Sequence, residues 1–223
     1  MTFKNLNMTF NSMKMTSKFL ALVFVASAFV GCNDDDNGPD LVTVESKTAT
    51  NIPAPQTGGP PTQDLIGGPF TKFSFEDGAV TVSDDDWDIA FRGTSIAING
   101  GAVTGSADEP ARNGQAGVAI ETGTFASVTD AAGLTFAQDS ESGFAIPTGG
   151  DNGWYNYNQQ VNIISPIPGK VLVFRTHDGH YAKVEILSYY KDSPAQPDGF
   201  ADESRFYTFD YVYNPNEGET SLK

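Results

Sequence analysis

The sequence predicts a single all-β domain built from antiparallel sheets. From residue 70 onward, apolar residues recur mainly at every second position, which is the period of a half-buried strand. Gly (23 residues) and Pro (13 residues) are frequent, which favours a chain with many turns. Long segments with the 3.6-residue period of a helix are absent, and a length of 223 residues suits one domain of moderate size.

The N-terminal segment has the features of a secretory signal. Lys14 and Lys18 precede the apolar run FLALVFVASAFVG, which ends at Cys32. This run is too short for a membrane-spanning helix, which needs about 20 residues. We therefore expect residues 1–31 to be a signal peptide. Cys32 is the only cysteine, so a disulfide within the chain is impossible.

Residues 32–69 are expected to form an acidic tether rich in Pro and Gly. It begins with NDDDN (33–37) and contains NIPAPQTGGPPTQ (51–63), and segments of this composition bury too little apolar surface to fold alone. LVTVESK (41–47) is a candidate early strand inside this region.

The charge balance excludes some partners. The whole chain carries a net charge of −15, and removal of residues 1–31 takes away three Lys and leaves 10 basic and 28 acidic residues, or −18. Nucleic-acid binding is not expected, because phosphate contacts need basic patches. Anionic membrane surfaces should repel such a chain as well, so membrane attachment requires a lipid.

The first strands of the domain are predicted as a hairpin over FTKFSFEDGAVTVS (70–83). Phe73 and Phe75 alternate with polar residues before Glu-Asp-Gly, and Val80 and Val82 alternate after it. The turn between the two alternating runs favours antiparallel pairing.

The next segment, WDIAFRGTSIAING (87–100), is predicted as two strands. Trp87, Ile89 and Phe91 share one face, Gly93 interrupts the run, and alternation then resumes. The pattern becomes faint over residues 101–153, which is typical of functional loops, with candidate short strands at AGVAI (116–120) and LTFA (134–137).

The C-terminal part of the domain has the clearest strand signals. KVLVFRT (170–176) and YAKVEILSYYK (181–191) flank His-Asp-Gly-His, and RFYTFDYVYN (205–214) follows. The last segment carries an aromatic stripe at period 2, which favours sheet core over a ligand platform. Its members are Tyr207, Phe209, Tyr211 and Tyr213.

The two histidines of the chain, His177 and His180, flank an Asp-Gly pair. Asp-Gly between strands favours a two-residue turn, which would place the histidines opposite each other with Cα atoms roughly 5.5 Å apart. The same register pairs Val173 with Val184 on the expected core face and puts Phe174 on the other face. Such a pair cannot ligate one haem iron from both sides, although one histidine could be a single axial ligand; the alternative is a structural hairpin. A zinc site needs two more donors, so no metal site is predicted.

A cluster of aromatic residues lies in GWYNYNQQ (153–160). Trp154, Tyr155 and Tyr157 stand among amides, and such a cluster can stack on a flat ligand or a sugar. The alternative is a strand with one aromatic face.

Other motifs point away from metal binding and catalysis. DDDWD (84–88) is conceivable as a calcium site but lacks the EF-hand spacing, and a solvated turn is favoured. G-x-S-x-G, a Walker loop and G-x-G-x-x-G are all absent. The sequence therefore predicts a binding protein, not an enzyme.

The motif FVGC, with Gly31 before Cys32, resembles the lipobox of bacterial lipoproteins. The resemblance implies that Cys32 becomes the mature N-terminus and carries acyl chains, which anchor a protein stably when there are two or more. NDDDN (33–37) resembles the surface-export tag of some Gram-negative lipoproteins, which implies a lipid-anchored protein of the outer membrane exposed at the cell surface. The alternative is ordinary cleavage nearby.

Three segments together resemble the HmuY-like family of haem-binding bacterial surface lipoproteins. They are DDDWDIAFRGTSIAINGG (84–101), GKVLVFRTHDGHYAKVEILSYYKD (169–192) and YTFDYVY (207–213). The resemblance implies an all-β domain over residues 70–214, followed by a C-terminal tail at 215–223. It also implies haem as cofactor, held between loops for uptake and presented to an outer-membrane receptor.

The axial ligands that the resemblance implies are missing from the sequence. Haem-binding relatives use His or Met from two loops, which should fall near residues 130–142 and near 158–160 here, and neither segment contains His or Met. All four Met lie in residues 1–15. Tyr155 or Tyr157 could ligate iron as a phenolate. The expected ligand is thus haem or a related flat hydrophobic molecule; the alternative is a polysaccharide or protein partner on the same fold, without haem.

Overall fold

The computed structural model describes residues 41–60, 62–150 and 152–223. All regular elements in these residues are strands, which confirms the predicted all-β class. They are β1 (Glu45–Pro53), β2 (Thr71–Ser74), β3 (Ala79–Thr81), β4 (Ile89–Arg92), β5 (Ser95–Ile98), β6 (Gly117–Thr122), β7 (Tyr155–Asn158), β8 (Ile163–Pro166), β9 (Lys170–Arg175), β10 (Tyr181–Tyr190) and β11 (Ser204–Asn214).

The strands form three antiparallel sheets. The largest has five strands in the order β1-β11-β10-β9-β6, the second has four in the order β3-β2-β4-β5, and the third is the β7–β8 hairpin. Within the described residues, no helix is long and apolar enough to cross a membrane.

The main core lies between the five-stranded and the four-stranded sheet, because both contribute buried residues to one apolar cluster. The ring centroids of Phe73 and Phe209 lie 5.3 Å apart, and those of Phe91 and Tyr207 lie 4.5 Å apart. Offset and edge contacts of this kind add to the hydrophobic gain from burying the rings. The aromatic stripe of β11 is therefore sheet core, as the period-2 pattern predicts.

Trp87 does not share a face with Ile89 and Phe91, so that prediction is wrong. It is buried against Ala90 and Ala97 on the opposite side of β4, while Ile89 and Phe91 belong to the main core. The reason is local: β4 begins only at Ile89, and the Trp87 N–H donates to the carbonyl of Asp85 in a turn. Alternation therefore does not extend back to residue 87.

The predicted tether is wrong for part of its length, since β1 belongs to the five-stranded sheet. β1 pairs with β11 from Glu45 to Pro53, and its Ala49 and Ile52 are buried in the main core. A further bridge joins Thr57 to Gly67. This segment folds because β11 gives it hydrogen-bond partners and an apolar surface, which composition alone does not reveal.

The C-terminal tail also belongs to the folded domain. Leu222 is completely buried, its N–H donates to the carbonyl of Thr129, and Asn214 Nδ2 donates to the carbonyl of Ser221 at 2.9 Å. The boundary predicted at residue 214 therefore falls too early. Cys32 and the predicted signal peptide lie outside the described residues.

Within segment 101–153, β6 joins the five-stranded sheet, and the loops around it cover the outer faces of both large sheets. Part of it packs Ala131 against Val171 and Val173 of β9, on the face away from the main core. Another part is fixed by Arg112, whose Nη2 lies 2.9 Å from Asp139 and 2.8 Å from Glu109. The weak hydrophobic pattern thus belongs to a covering layer.

Candidate functional site

The hairpin with the two histidines has a register one residue away from the predicted one. Thr176 N–H donates to the carbonyl of His180 at 2.8 Å, and Gly179 N–H donates to the carbonyl of Thr176 at 3.2 Å. The loop is therefore three residues long, 177–179, with Gly179 at a φ of 100°. A type I turn followed by a positive-φ glycine is the usual form of a three-residue hairpin loop.

This shift exchanges the two faces of the hairpin, because side chains alternate with a period of two. Ala182 pairs with Phe174 and Val184 pairs with Leu172, and these four residues are in the main core. Val173 lies on the outer face. The predicted core face was thus wrong, and the histidines are not opposite each other.

His177 is bound to a buried carboxylate between the two large sheets. Its backbone N–H donates to Oδ1 of Asp88 at 3.0 Å, and its Nδ1 lies 2.9 Å from the same oxygen. Asp88 is buried, and its Oδ2 accepts the N–H of Phe75 at 2.8 Å. The hydrogen bond to Asp88 raises the pKa of His177, against the opposing effect of burial.

His180 has a separate partner. Its Nδ1 lies 3.0 Å from Oδ2 of Asp178, whose Oδ1 accepts the hydroxyl of Thr176 at 2.6 Å. Asp178 therefore organises its own loop. Each histidine thus has its own carboxylate partner, Asp88 for His177 and Asp178 for His180, and the two rings do not form one ligand site.

A candidate for ligand binding is a roomy cavity of about 600 Å³ beside the β7–β8 hairpin. Its size is in the range of small-molecule sites. Walls come from the chain before β2, the β4–β5 turn, the loop before β7, the β7–β8 hairpin and the adjoining ends of β10 and β11. The lining residues are Gln56, Pro60, Ile66, Thr94, Gly149, Gly150, Tyr155, Tyr157, Asn162, Ile164, Tyr189, Ser204 and Arg205.

The predicted aromatic cluster divides between this cavity and the core. Tyr155 and Tyr157 line the cavity. Trp154 is only 2% exposed, and its indole N–H donates to the carbonyl of Thr94 at 3.0 Å. Its ring packs on Tyr207, with centroids 5.1 Å apart, so Trp154 supports the wall from behind.

The two lining tyrosines of β7 have different surroundings. Tyr155 is nearly buried, and its hydroxyl oxygen accepts the N–H of Gly149 at 3.1 Å. Tyr157 is 50% exposed, and its hydroxyl donates to Oδ1 of Asn162 at 3.0 Å. Tyr157 is therefore the more accessible of the two tyrosines that line the cavity.

Tyr189 and Arg205 are among the lining residues that the sequence did not indicate. Tyr189 is buried, and this burial raises its pKa above the ordinary range. Arg205 lies at an irregularity in β11 with a φ of 71°. Tyr189 could have been found from its place near the end of a predicted strand, but nothing in the pattern marks Arg205, which reads as the first residue of a strand.

The two segments in which the resemblance implies haem ligands, 130–142 and 158–160, differ in their position relative to the cavity. Residues 158–160 are the last residue of β7 and the start of the β7–β8 turn, in the hairpin that borders the cavity. Residues 130–142 do not line it; Ala137 instead bridges to Val118 of β6, and Asp139 is buried beside Arg112. From this middle part of the chain, Gly149 and Gly150 are the residues that reach the cavity.

Tyrosine is the residue type at this cavity that could bind a metal-centred ligand through an oxygen atom. Neither His, Met nor Cys lines it in the part of the chain that the structure describes. Over the same residues, no cluster of three or more His, Cys, Asp or Glu could hold a free metal ion. In DDDWD, Asp84 pairs with Lys72 at 3.0 Å, while Asp88 binds His177.

The chain is similar to three solved structures. The apo HmuY analog of Tannerella forsythia is 14% identical, with a TM-score of 0.50, over 79% of this chain and 100% of that one. A protein of Bacteroides vulgatus, described as a candidate HmuY-like haem-binding protein, is 17% identical over 77% and 93%, with a TM-score of 0.46. A candidate lipoprotein of Bacteroides fragilis is 13% identical over 79% and 94%, with a TM-score of 0.45.

The first of these structures supports the fold. Among curated proteins, none matches this sequence. Residues 68–211 match the family described as HmuY protein, which is well over half of the chain. By this match, and with the antiparallel fold that accompanies it, the chain belongs to the HmuY family.

Proposed function

We propose that this protein binds haem, or a related flat hydrophobic ligand, in the tyrosine-lined cavity beside the β7–β8 hairpin. The observation that carries the proposal is the cavity itself: about 600 Å³, with Tyr155, Tyr157, Tyr189 and Ile164 in its walls, in a domain of the HmuY family. Aromatic and aliphatic walls suit a planar apolar molecule, because they can stack on its faces and exclude water.

Any bond to a haem iron at this site would come from a phenolate, and the exposures favour Tyr157. Of the two tyrosines on β7, Tyr157 is half exposed, whereas Tyr155 is nearly buried. Ligation requires Tyr157 to give up the hydrogen bond to Asn162 and to lose its proton to solvent. Tyrosine is a known axial ligand of haem iron. The two histidines take no part.

Surface attachment completes the proposal. Lipidation at Cys32 would hold the domain at the outer membrane, exposed at the cell surface, where it could pass its ligand to an outer-membrane receptor. Support comes from the lipobox-like FVGC motif and from membership of the HmuY family. We infer binding without catalysis, since this is a family of binding proteins.

The test is a titration of the purified chain with ferric haem, followed by absorbance. We expect a Soret band shifted from that of free haem, and loss of this shift in Tyr157→Phe, which removes only the hydroxyl. Tyr181→Phe, outside the cavity, is the matched control and should behave as the unchanged chain. His177→Ala and His180→Ala should also retain the shift. A free-haem spectrum at micromolar protein would contradict the proposal.

A second candidate function is a surface module for a polysaccharide or protein partner, without haem. Large apolar side chains are exposed beside the cavity, including Leu65 at 92% and Phe200 at 79%. Phe200 adjoins the hairpin, because Asn162 Nδ2 donates to the carbonyl of Gly199 at 2.6 Å. Exposed apolar clusters mark interaction sites in many soluble proteins. This function predicts glycan or protein binding that Phe200→Ser weakens, with no response to haem.

A further inference from the structure

The wall of the cavity carries one charged residue among those described, and it is Arg205. The other lining side chains are apolar, aromatic, amide or hydroxyl groups. The whole chain has a net charge of −15, so its general field repels anions. A cation placed in an otherwise uncharged cavity of such a protein is therefore a specific local feature.

Local backbone geometry places Arg205 at this wall. Ser188 pairs with Thr208, but Tyr190 pairs with Ser204, so β11 uses two more residues than β10 over the same stretch. Arg205 lies in this bulge at a φ of 71°. Bulges commonly redirect a side chain next to a binding site. Without the extra residues, position 205 would be a regular ladder position at the strand end.

The guanidinium is fixed from one side. Its Nη1 donates to the carbonyl of Gln56 at 2.9 Å, and the guanidinium also lies within electrostatic contact of the Tyr189 side chain. A guanidinium has five N–H donors in a planar fork, so these two contacts leave donors for another acceptor. The fixed contacts also reduce the side-chain freedom that a ligand would otherwise have to restrict.

Carboxylate partners for Arg205 are missing from residues 41–60, 62–150 and 152–223: none of their acidic side chains forms an ion pair with it. The acidic residue nearest in sequence, Glu203, pairs with Lys191 at 2.9 Å. The charge at the cavity wall is therefore not neutralised by the described part of the fold.

We propose that Arg205 is an anion-binding residue and that the cavity selects flat apolar molecules that carry a carboxylate or sulfonate group. The apolar body would stack on Tyr157 and contact Ile164, and the anionic group would accept hydrogen bonds from the guanidinium. The inference rests on the proposed function for the location of the site. It goes further by naming the class of ligand and the residue that selects it.

The test uses two fluorescent probes that differ by one charged group. They are 8-anilinonaphthalene-1-sulfonate and its neutral analogue N-phenyl-1-naphthylamine, titrated into the full chain and into Arg205→Gln. The unchanged chain should bind the sulfonate more tightly. Arg205→Gln should lose about ten-fold or more of the affinity for the sulfonate, in line with charge-assisted hydrogen bonds, and little for the neutral probe. Arg205→Lys should keep part of the preference, because it keeps the charge.

Arg175→Gln is the matched control, since Arg175 donates to the carbonyl of Gln115 away from the cavity. It should leave both affinities unchanged, and thermal unfolding should show that every variant is folded. An unchanged ratio of the two affinities in Arg205→Gln would overturn the inference. The inference would also be overturned if Arg205→Gln and Arg205→Lys both lost affinity equally for the two probes, because that outcome would reveal a purely structural role.

The haem titration separates this inference from the proposed function. If the chain binds haem but the ratio of the affinities for the two probes is unchanged in Arg205→Gln, the proposed function stands and the inference about Arg205 is wrong. If the chain fails to bind haem but prefers the sulfonate in a way that depends on Arg205, the haem proposal is wrong and the cavity is still selective for anions.

Discussion

His177 and Asp88 connect the β9–β10 hairpin to the four-stranded sheet through a single carboxylate oxygen. Oδ1 of Asp88 accepts the backbone N–H of His177 at 3.0 Å and lies 2.9 Å from its Nδ1. Asp88 directly precedes β4, and its Oδ2 accepts the N–H of Phe75 beyond β2. One buried side chain thus ties three segments together.

This contact should make stability depend on pH. The pKa of His177 is raised in the folded state, chiefly by the hydrogen bond to Asp88, so folding favours the protonated ring. The stabilisation is complete below the ordinary pKa of about 6.5 and is lost as pH rises through the folded-state value. In His177→Ala, the free energy of unfolding should fall by about 1–3 kcal/mol at pH 6 and by less at pH 9.

Denaturant unfolding at several pH values measures this effect. His180→Ala is the control, because its pair with Asp178 is more exposed and should contribute under about 1 kcal/mol. A loss of stability in His177→Ala that is the same at pH 6 and pH 9 would show that protonation of the ring has no part in it.

The buried ionic group of Arg112, Glu109 and Asp139 should be sensitive to removal of its cation. The side chains are 2%, 2% and 0% exposed, and burial raises the pKa of Asp139. Arg112→Ala removes the cation that pairs with both carboxyl groups, and we expect a loss of about 3–5 kcal/mol in unfolding free energy. The loss should shrink toward acid pH, because protonated carboxyl groups no longer need the cation.

Lys191→Ala is the comparison for this group, since its pair with Glu203 is about half exposed on both sides. We expect little or no change in unfolding free energy there, because solvent screens an exposed ion pair. If Arg112→Ala and Lys191→Ala lowered the free energy of chemical unfolding by similar amounts, the buried ionic group would not stabilise the fold more than an exposed ion pair does.

Leu222 tests whether the C-terminal tail is part of the domain. It is completely buried against the outer face of the five-stranded sheet, with Ala131, Val171 and Val173. Leu222→Ala should lower the unfolding free energy by about 2–4 kcal/mol, because it removes apolar contacts and leaves a cavity. Leu187→Ala, at a position 46% exposed, should cost much less. Equal melting temperatures for Leu222→Ala and the unchanged chain would show that residues 215–223 do not stabilise the domain.

Strand positions could be predicted where alternation was strong, and register could not. The hairpin at 170–191 and the stripe of β11 followed from period-2 patterns that one buried face imposes. Asp-Gly, however, suits both a two-residue turn and a three-residue loop with Gly179 at positive φ. The choice depends on contacts such as His177 with Asp88, which join residues 89 positions apart.

The candidate site was found only in part. The aromatic cluster in one short segment indicates Tyr155 and Tyr157, and both line the cavity. The same cluster also indicates Trp154, which the structure places in the core instead. Arg205 had no sequence signal, since its position depends on a bulge between β10 and β11. Ile66 lines the cavity from a segment that its composition assigned to a tether. Long-range packing, which local pattern does not encode, brings these groups together.

The place of β1 at one edge of the five-stranded sheet has a consequence for self-association. An edge strand offers unpaired backbone groups to other chains, and flat edges invite polymerisation. This edge carries exposed charges at Glu45 and Lys47, bends at Asn51, whose φ is 56°, and ends at Pro53, which has no N–H to donate. At the opposite edge, β6 is partly occupied by the bridge to Ala137. Copies of the domain at high concentration should therefore remain separate, without joining sheet to sheet.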